Sequence, residues 1–465
     1  IYTLSLHDAL PIYELIEVMK KRAAETPKGE WIKGVNFDQT KWSENRFPTL
    51  GEMDDISTEH PVIIKRCCLH AVVANSAALK KAGIVKNYDA GTGGIVELDE
   101  EGMPNGILRE QSTKVFDDIL PDALQNKDLQ RKILSEVMSD MSSKGITAIH
   151  TYAAKIWQYN EDINIYKVFE EKGELPVRVT VCIDELFEPE LITEEKLHDP
   201  FRKTQLGAYK IFSDGSMGSR SAALEEPYSD DPDNAGFVLF TQEELNNKIY
   251  TGYKRGLQPA IHAIGDRALH MTLTAIEYTL EKTLEEGMTK EEQDNRLPFR
   301  IIHVQMADKK TIARMRKLPL ILDIQPIFMC TDLHWIEDRI GKDRLPSSFA
   351  LKSMQDAGLM QTGGSDCPVE TYEPLKGIYA AVTRQDMEGR PQEGFLPEER
   401  LSVYEALCMF TKNVHYATGQ EDVLGTLSIG KFADLTVLNE DIFKIELSGK
   451  VRRSEERRVG KECRS

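Results

Sequence analysis

The chain has 465 residues, of which 41% are hydrophobic and 29% charged, so it can bury a large core. At ~150 residues per domain, this length fits up to three domains or one large barrel with an appendage. Its 76 acidic residues outnumber its 58 basic ones and give a formal net charge of −18. Because this sign opposes binding to a phosphate backbone or an anionic lipid surface, we predict neither a nucleic-acid nor a membrane partner.

The seven cysteines are scattered along the chain and form no Cys-x-x-Cys pair. This spacing offers neither a zinc-finger motif nor a thioredoxin motif. An odd number of dispersed cysteines is typical of reduced thiols in a cytosolic enzyme, so we predict a cytoplasmic protein.

The two ends of the chain differ in pattern from the rest. Residues 1–12 (IYTLSLHDALPI) and the tail 453–465 resemble peptides that arise when sequencing-adapter DNA is translated. We therefore predict that both segments are foreign to the native fold, as tags and fusion scars are. The native sequence then begins near Tyr13, within a helix.

Next in chain order, a segment at about 30–115 is predicted to be an insertion. It is rich in glycine and contains strand-like runs at Pro61–Arg66 and Gly93–Leu98. After it, helical apolar patterns alternate with short apolar runs that predict strands. These runs are Ile146–Thr151, Val177–Ile183, Ala208–Phe212, Pro259–Ile264, Arg300–Val304, Leu320–Ile324 and Leu359–Thr362.

Repeated βα units with apolar strands predict an α/β fold with a parallel sheet covered by helices. Seven strands after residue 145 suit a (β/α)₈ TIM-type barrel that lacks its first strand. A doubly wound sheet is the alternative, because periodicity alone does not determine closure. The segment Gly425–Asp441 is predicted to form a turn-rich β pair outside this sheet.

Four chemically active side chains lie at the C-terminal ends of predicted strands: Lys210, His262, His303 and Asp366. In a parallel barrel these ends form the active-site face. Two imidazoles and a carboxylate suit zinc. A lysine suits such a site only if its amine becomes an anion, for example a carbamate formed with CO₂. Each residue alone has an ordinary structural explanation, but the four together favour a metal site.

Seven sequence blocks resemble those of the third amidohydrolase family, within the metal-dependent amidohydrolase superfamily. The resemblance extends from about Tyr13 to Val451. The blocks are WIKGVNFD (Trp31–Asp38), HAVVANSAAL (His70–Leu79), KIFSDGSMGSRSAAL (Lys210–Leu224), HAIGDRA (His262–Ala268), RIIHVQ (Arg300–Gln305), GGSDCPV (Gly363–Val369) and GKFADLTVL (Gly430–Leu438).

The resemblance implies a (β/α)₈ barrel with a small β-sandwich built from both chain ends. It also implies a site with one or two zinc ions and cleavage of an amide-type C–N bond by metal-activated hydroxide. By position, Lys210 would be the carboxylated lysine that bridges the metals, and His262 and His303 would bind the second metal. Asp366 would bind the first metal and carry the proton.

The sequence departs from this family at the first metal. The His-x-His pair expected on the first barrel strand is absent, and the nearby His7-Asp8 has the wrong spacing. We therefore predict a barrel at 13–415, a sandwich remnant at 420–451 and a truncated chain. Such a chain would hold at most one weakly bound zinc and turn over little substrate.

Seven further polar residues are candidates for roles around the metals. Two are predicted to orient the imidazoles, namely Asp266 and Gln305, because metal-binding histidines usually donate their other N–H. Five are predicted to contact substrate, namely Asp214, Arg220, His70, Asn75 and His150. A surface salt bridge for Arg220, a helix cap for Asn75 and a packed structural role for His150 remain open.

Three functions therefore remain open for the parent protein. The first is a binuclear zinc amidohydrolase acting on C–N bonds other than peptide bonds. The second is a mononuclear deaminase of the same superfamily, against which Lys210 argues, since one metal needs no bridge. The third is a non-catalytic barrel that binds a ligand. In each case the partner is a small molecule, and a homo-oligomer is compatible with the sequence.

Overall fold

A computed structural model describes residues 2–5, 11–39, 42–67, 70–91, 93–120, 127–152, 165–183 and 201–444. Its contacts divide the chain into two compact units. Unit 1 contains Ile1–Lys127, Gly215–Ser221 and Cys367–Thr371, and unit 2 contains Asp128–Asp214, Ala222–Asp366 and Tyr372–Ser465. The His7-Asp8 pair, residues 445–451 of the predicted sandwich remnant and the tail 453–465 lie outside the described residues.

Unit 1 is built on a six-stranded mixed sheet with the order β1-β2-β3-β4-β6-β5. The first three strands are parallel, and the remaining pairs are antiparallel. Two strands predicted for the insertion are confirmed as β3 and β5. The strand bounds are β1 Tyr2–Ser5, β2 Ile32–Phe37, β3 Val62–Arg66, β4 Ala71–Ala74, β5 Gly94–Leu98 and β6 Pro104–Glu110.

The first strand of unit 1 falls within the segment predicted to be foreign to the fold. It nevertheless pairs with β2 in parallel register, with Tyr2 opposite Ile32 and Ser5 opposite Val35. The origin of residues 1–12 stays a prediction. The helix expected at Tyr13 is present and starts at Ile12.

Helices cover the sheet of unit 1, and a side-chain cap stabilises the first turn of α2. A capping box at Thr49 and Glu52 satisfies backbone N–H groups at the start of α2. On α1, Leu15 and Met19 are fully buried in a core with Phe37. The helix bounds are α1 Ile12–Glu25, α2 Leu50–Ile56, α3 Ser76–Lys81 and α4 Lys114–Ile119, with a 3₁₀ turn at Gln111–Thr113.

Unit 2 contains a seven-stranded parallel sheet whose strands follow in chain order from β7 to β13. Each of the seven strands predicted after residue 145 is confirmed. The bounds are β7 Ala148–Tyr152, β8 Arg178–Ile183, β9 Thr204–Phe212, β10 Pro259–Ala263, β11 Phe299–His303, β12 Leu320–Ile324 and β13 Met360–Gly363.

Helices connect these strands, as parallel pairing requires. No helix in the described ranges is both long and apolar enough to cross a membrane. The bounds are α5 Lys127–Ser143, α6 Gln242–Lys254, α7 Asp266–Glu285, α8 Lys290–Asp294, α9 Lys309–Met315, α10 Phe328–Asp332, α11 Ile336–Arg344, α12 Leu351–Asp356, α13 Pro374–Thr383, α14 Val403–Met409 and α15 Lys412–Ala417. Short 3₁₀ turns lie at Leu345–Ser347 and Pro397–Glu399.

One face of the unit 2 sheet packs against helices and forms the main hydrophobic core. The strand residues Ile261 and Ile301 are fully buried there with Leu269 and Leu273 of α7. Burial of one such side chain contributes about 1.5–3 kcal/mol, so this face supplies much of the stability of unit 2.

The opposite face is an inner face that contains buried charge. A small cluster of Cys182, Ala208, Ala260 and Ile302 joins four neighbouring strands. Arg300 on β11 donates from Nε to Asp323 Oδ2 on β12 at 2.7 Å, and its NH2 group lies 3.3 Å from His150 Nδ1 on β7.

The contact between β7 and β11 requires a curled sheet. These strands are four positions apart, which is roughly 19 Å in a flat sheet. Because the long Arg300 side chain still reaches His150, the sheet bends towards its inner face, as in part of a TIM-type barrel. That this sheet is a (β/α)₈ barrel lacking its first strand stays a prediction.

The segment after α15 differs from its prediction. The structure has no strand over the described residues 420–444, where the sequence predicts a β pair. Two of its apolar side chains, Leu427 and Ile429, lie in solvent and are 86% and 106% exposed, whereas Leu424 and Ile442 are buried. A two-stranded ribbon without a covering layer is marginally stable at best, which explains the irregular conformation.

The buried ion pair gives a first prediction. Asp323→Ala removes the carboxylate and leaves the Arg300 guanidinium buried, so the free energy of unfolding should fall by about 3–5 kcal/mol. Urea denaturation measures this loss. Glu59→Ala is the control, because it removes an equally direct but solvent-exposed pair with Lys28 and should leave the midpoint nearly unchanged. Equal effects of the two variants would contradict the prediction.

Two buried histidines give a second prediction. Burial lowers the pKa of His415 from 6.5 to about 4, and burial and then Arg300 lower the pKa of His150 well below 6.5. Between pH 6.5 and 4 the unfolded chain therefore binds more protons than the folded one, and stability falls as the pH falls. His415 alone should contribute about 3 kcal/mol to this loss.

The measurement is the free energy of unfolding from urea denaturation between pH 7.5 and pH 4.5. His415→Gln should flatten the pH dependence. The control His270→Gln changes a histidine whose side chain is 41% exposed. It should leave the pH dependence of the free energy of unfolding unchanged. An unchanged slope in His415→Gln would show that this histidine does not contribute.

Candidate metal centre

Three of the four predicted metal-site residues lie on neighbouring strands. Lys210 is on β9 opposite Ala260 of β10, and His262 on β10 is opposite Phe212 and Ile302. His303 is the last residue of β11. Because β9, β10 and β11 are parallel, their carboxyl ends meet at one edge of the sheet, which is where the prediction placed this centre.

The two imidazoles form a packed pair. The ring centroids of His262 and His303 are 4.5 Å apart, and their planes are inclined by 76°. Phe212 lies 5.4 Å from the first ring, and Phe328 stacks on the second at 5.8 Å. With 2% and 5% of their surface exposed, both histidines are held firmly between neighbours.

The hydrogen-bond partner of His303 indicates its tautomer. The Nδ1 atom lies 2.6 Å from Gln325 Oε1, while the amide nitrogen of Gln325 donates to the Asp323 carbonyl at 3.0 Å. The second bond orients the amide so that its oxygen faces the ring. A carbonyl oxygen only accepts, so Nδ1 carries the proton and Nε2 carries the lone pair.

The opposite nitrogen is favoured in His262. Its Nε2 atom lies 3.3 Å from Asp214 Oδ1. A carboxylate also only accepts, so Nε2 carries the proton and Nδ1 carries the lone pair. The two rings therefore bear their lone pairs on different atoms, each on the side away from the carboxylate or amide contact.

Lys210 is buried beside this pair. Only 4% of its surface is exposed, and its Nζ lies 4.7 Å from the centre of the Phe212 ring. Burial lowers the pKa of Lys210 to about 8, although the Asp366 and Asp323 carboxylates act in the opposite direction. At neutral pH a measurable fraction of this amine is therefore unprotonated.

Asp366 follows β13 at the same edge of the sheet and is exposed. Its backbone has a φ of 53°, in the left-handed region that aspartate tolerates better than most residues. The Gly364 N–H bonds to the Ile324 carbonyl at 2.9 Å, which extends the pairing of β12 and β13 to this turn. The predicted role of Asp366 in proton transfer stays a prediction.

The donor set fits a metal ion through its two imidazoles. Neutral imidazole nitrogens are ordinary ligands of zinc. Among the described residues, no group of three or more His, Cys, Asp and Glu side chains is arranged to hold a metal. The metal site predicted at His262, His303 and Lys210 therefore stays a prediction, although the structure brings these three side chains to the same edge of the sheet.

The two residues predicted to orient the imidazoles contact other groups. Asp266 accepts from the backbone N–H groups of Glu225 and Arg267, and it is the first residue of α7 rather than its N-cap. Gln305 donates to Asp332 at 2.9 Å. Asp214 lies against the His262 ring nitrogen, and Gln325 lies against that of His303. Gln325 directly follows the predicted strand β12, and this position was the signal that sequence reasoning missed.

Asn75 is a structural residue rather than a predicted substrate contact. Its oxygen accepts from the N–H groups of Val62 and Ala78, and its amide donates to the carbonyls of Ser57 and His60. These four bonds use the full capacity of the side chain. The alternative of a helix cap is confirmed, since Asn75 is the N-cap of α3.

His70 takes part in a polar cluster of unit 1 that the sequence did not predict. Its Nδ1 lies 2.6 Å from Glu110 Oε2, and the other oxygen of Glu110 accepts from Ser221. Ser219 bonds to Ser221 at 2.6 Å and to Ser216 at 2.7 Å. Glu110 has a φ of 55° and a ψ of −130°, a strained conformation for a residue with a side chain.

The remaining candidates differ in how far the structure describes their roles. Asp214 is fully buried and contacts His262 rather than solvent. His150 is also on the inner face, against Arg300. Arg220 is half-buried in unit 1 with a φ of 57°, and its contact with substrate stays a prediction.

Comparison with known proteins agrees with this geometry. The sequence profile of the amidohydrolase family matches residues 2–452. YtcJ of Bacillus subtilis, whose name describes it as an amidohydrolase, is 32% identical over 436 residues, covering 93% of this chain and 79% of YtcJ. An N-substituted formamide deformylase of Arthrobacter pascens is 26% identical over 439 residues, covering 92% of this chain and 77% of the deformylase.

Solved structures show the same relationship. An uncharacterized metal-dependent hydrolase from Pyrococcus horikoshii superposes with a TM-score of 0.69 at 25% identity, covering 96% of this chain and 83% of its own. An uncharacterized metal-dependent hydrolase from Pyrococcus furiosus superposes with a TM-score of 0.66 at 27% identity, covering 95% of this chain and 84% of its own. With a profile match over nearly all its length and an imidazole pair at the strand ends, the chain belongs to the amidohydrolase family.

Proposed function

We propose that this protein is a zinc-dependent hydrolase that cleaves the C–N bond of a small amide-type substrate. The observation that carries the proposal is the packed pair of His262 and His303 at the carboxyl edge of the sheet, with their lone-pair nitrogens defined by Asp214 and Gln325. The relative that acts on N-substituted formamides supports an amide-type substrate.

Each residue of the centre has a distinct task. His262 would hold the metal through Nδ1 and His303 through Nε2. A bound zinc ion supplies Lewis-acid polarisation of the substrate carbonyl and lowers the pKa of the attacking water. Asp366 accepts a proton from that water and returns it to the leaving nitrogen. The C–N bond breaks, a C–O bond forms, and the products are a carboxylic acid and an amine.

Lys210 acts as a carbamate in this proposal. Its unprotonated, neutral amine attacks CO₂, forms an N–C bond and releases one proton, which converts the amine into a carbamate with an anionic oxygen ligand. Burial supports this step, because the pKa of about 8 leaves part of the amine unprotonated.

The chain's own ligands limit the metal content. None of its ten histidines is separated from another by a single residue, so it has no His-x-His pair. We therefore propose that this chain holds at most one zinc ion and has low turnover. We also propose a cytoplasmic location, because an odd number of dispersed cysteines is typical of reduced thiols in a cytosolic enzyme.

The test measures zinc content and hydrolysis of an N-substituted formamide on the full chain. We expect at most one zinc per chain, and His262→Ala or His303→Ala should weaken zinc binding at least tenfold. The control His270→Ala should not, because this histidine lies on the outside of α7 against Glu225. Asp366→Asn should abolish residual turnover and leave zinc bound.

Two results would overturn the proposal. Two zinc ions per chain with rapid amide hydrolysis would contradict the single weak site. Absence of zinc binding and of turnover, together with retained binding of an amide ligand, would favour the non-catalytic barrel.

A further inference from the structure

We propose that Asp214 is a positioning residue that fixes the tautomer and the orientation of His262. This inference rests on the proposed function, because the orientation matters for a metal ligand. It replaces the substrate contact that the sequence suggested for Asp214. Nothing in the comparisons assigns a role to this carboxylate.

The Asp214 carboxylate is fully buried and surrounded by donors. Its Oδ1 lies 3.1 Å from the Ile264 N–H nitrogen and 3.3 Å from His262 Nε2. Its Oδ2 accepts from the backbone N–H groups of Ala223 and Gly265, both at 2.9 Å. Three backbone N–H groups thus hold this carboxylate in place, and the imidazole of His262 is its fourth neighbour.

The Asp214 carboxylate selects one tautomer and one orientation of the His262 ring. The ring nitrogen that faces a carboxylate must carry the proton, which places the lone pair of His262 on Nδ1. A half-turn of the ring would replace Nε2 by a carbon atom and lose the attraction. Asp214 therefore holds the ring as carboxylate–histidine–metal arrangements do, where the carboxylate also raises the basicity of the ligand.

The backbone around Asp214 is built to keep it in place. The preceding residue, Ser213, donates both its N–H and its hydroxyl to the carbonyl of His262 itself. A Cβ on Gly265 would lie 2.0 Å from the Ala223 carbonyl oxygen, so only glycine allows these two loops to pack closely. Residues 213 and 214 thus hold both the main chain and the side chain of His262.

Asp266 offers a matched control. It is the first residue of α7, next to the β10–α7 connection whose N–H groups Asp214 accepts, and it also accepts backbone N–H groups, from Glu225 and Arg267. Its carboxylate does not touch the imidazole. A variant of Asp266 therefore disturbs the β10–α7 connection to a similar degree but leaves the Asp214 carboxylate against His262.

The experiment uses the full chain labelled with ¹⁵N-histidine and compares the wild type, Asp214→Asn and Asp266→Asn. In the zinc-free wild type, NMR should find His262 protonated at Nε2 and His303 at Nδ1. In Asp214→Asn, the His262 signal should move to the Nδ1–H form or to a mixture, because the new amide donates towards the ring. Zinc affinity, measured by chelator competition, should weaken 10–100-fold in Asp214→Asn and stay within threefold in Asp266→Asn.

Two outcomes would overturn the proposal. Protonation of His262 at Nδ1 in the wild type would do so without any variant, even if Asp214→Asn fails to fold. Equal zinc affinities and tautomers in the two variants would do so as well. Absence of amide hydrolysis in the wild type would instead count against the proposed function and would leave the tautomer result standing.

Discussion

The buried ion pair of Arg300 and Asp323 is the interaction on which the architecture of unit 2 depends. From β11, the guanidinium reaches His150 on β7, one edge of the described sheet. From β12, the carboxylate accepts from Thr362 on β13, the other edge. One ion pair thus touches both edge strands across the inner face. Because unpaired charges are costly in such a setting, the curvature of the sheet and the pairing of these charges stabilise each other.

The proposed metal centre also depends on buried polar side chains that hold one another in place. Each imidazole is held by a group whose own orientation is fixed by the backbone. Gln325 is oriented by the carbonyl of Asp323, so the partner of His303 is tied to the strand that bears the ion pair. Asp214 is oriented by three backbone N–H groups. Preorganised ligands of this kind do not have to be reordered when a metal binds.

Sequence reasoning predicted the seven strands of unit 2 and the place of Lys210, His262 and His303, because apolar periodicity and strand ends are local properties. It did not predict the partner of either imidazole, since proximity in sequence is a poor guide to contact across a sheet. Asp214 lies 48 residues before His262, whereas the expected partner Asp266 lies four residues after it. The strained Glu110 and the irregular segment 420–444 were missed for a related reason: each depends on which distant residues cover it.

The charged side chains of the inner face bear on the proposed binding of a metal ion. With Lys210 protonated, two cations (Lys210 and Arg300) offset two carboxylates (Asp323 and Asp366), and these four groups are neutral in sum. The proposed carbamate changes Lys210 from +1 to −1 and leaves the set at −2. A divalent cation would offset this negative charge. Since a bound ion is often the largest local charge in a site, the proposed carbamate and the cation would stabilise each other.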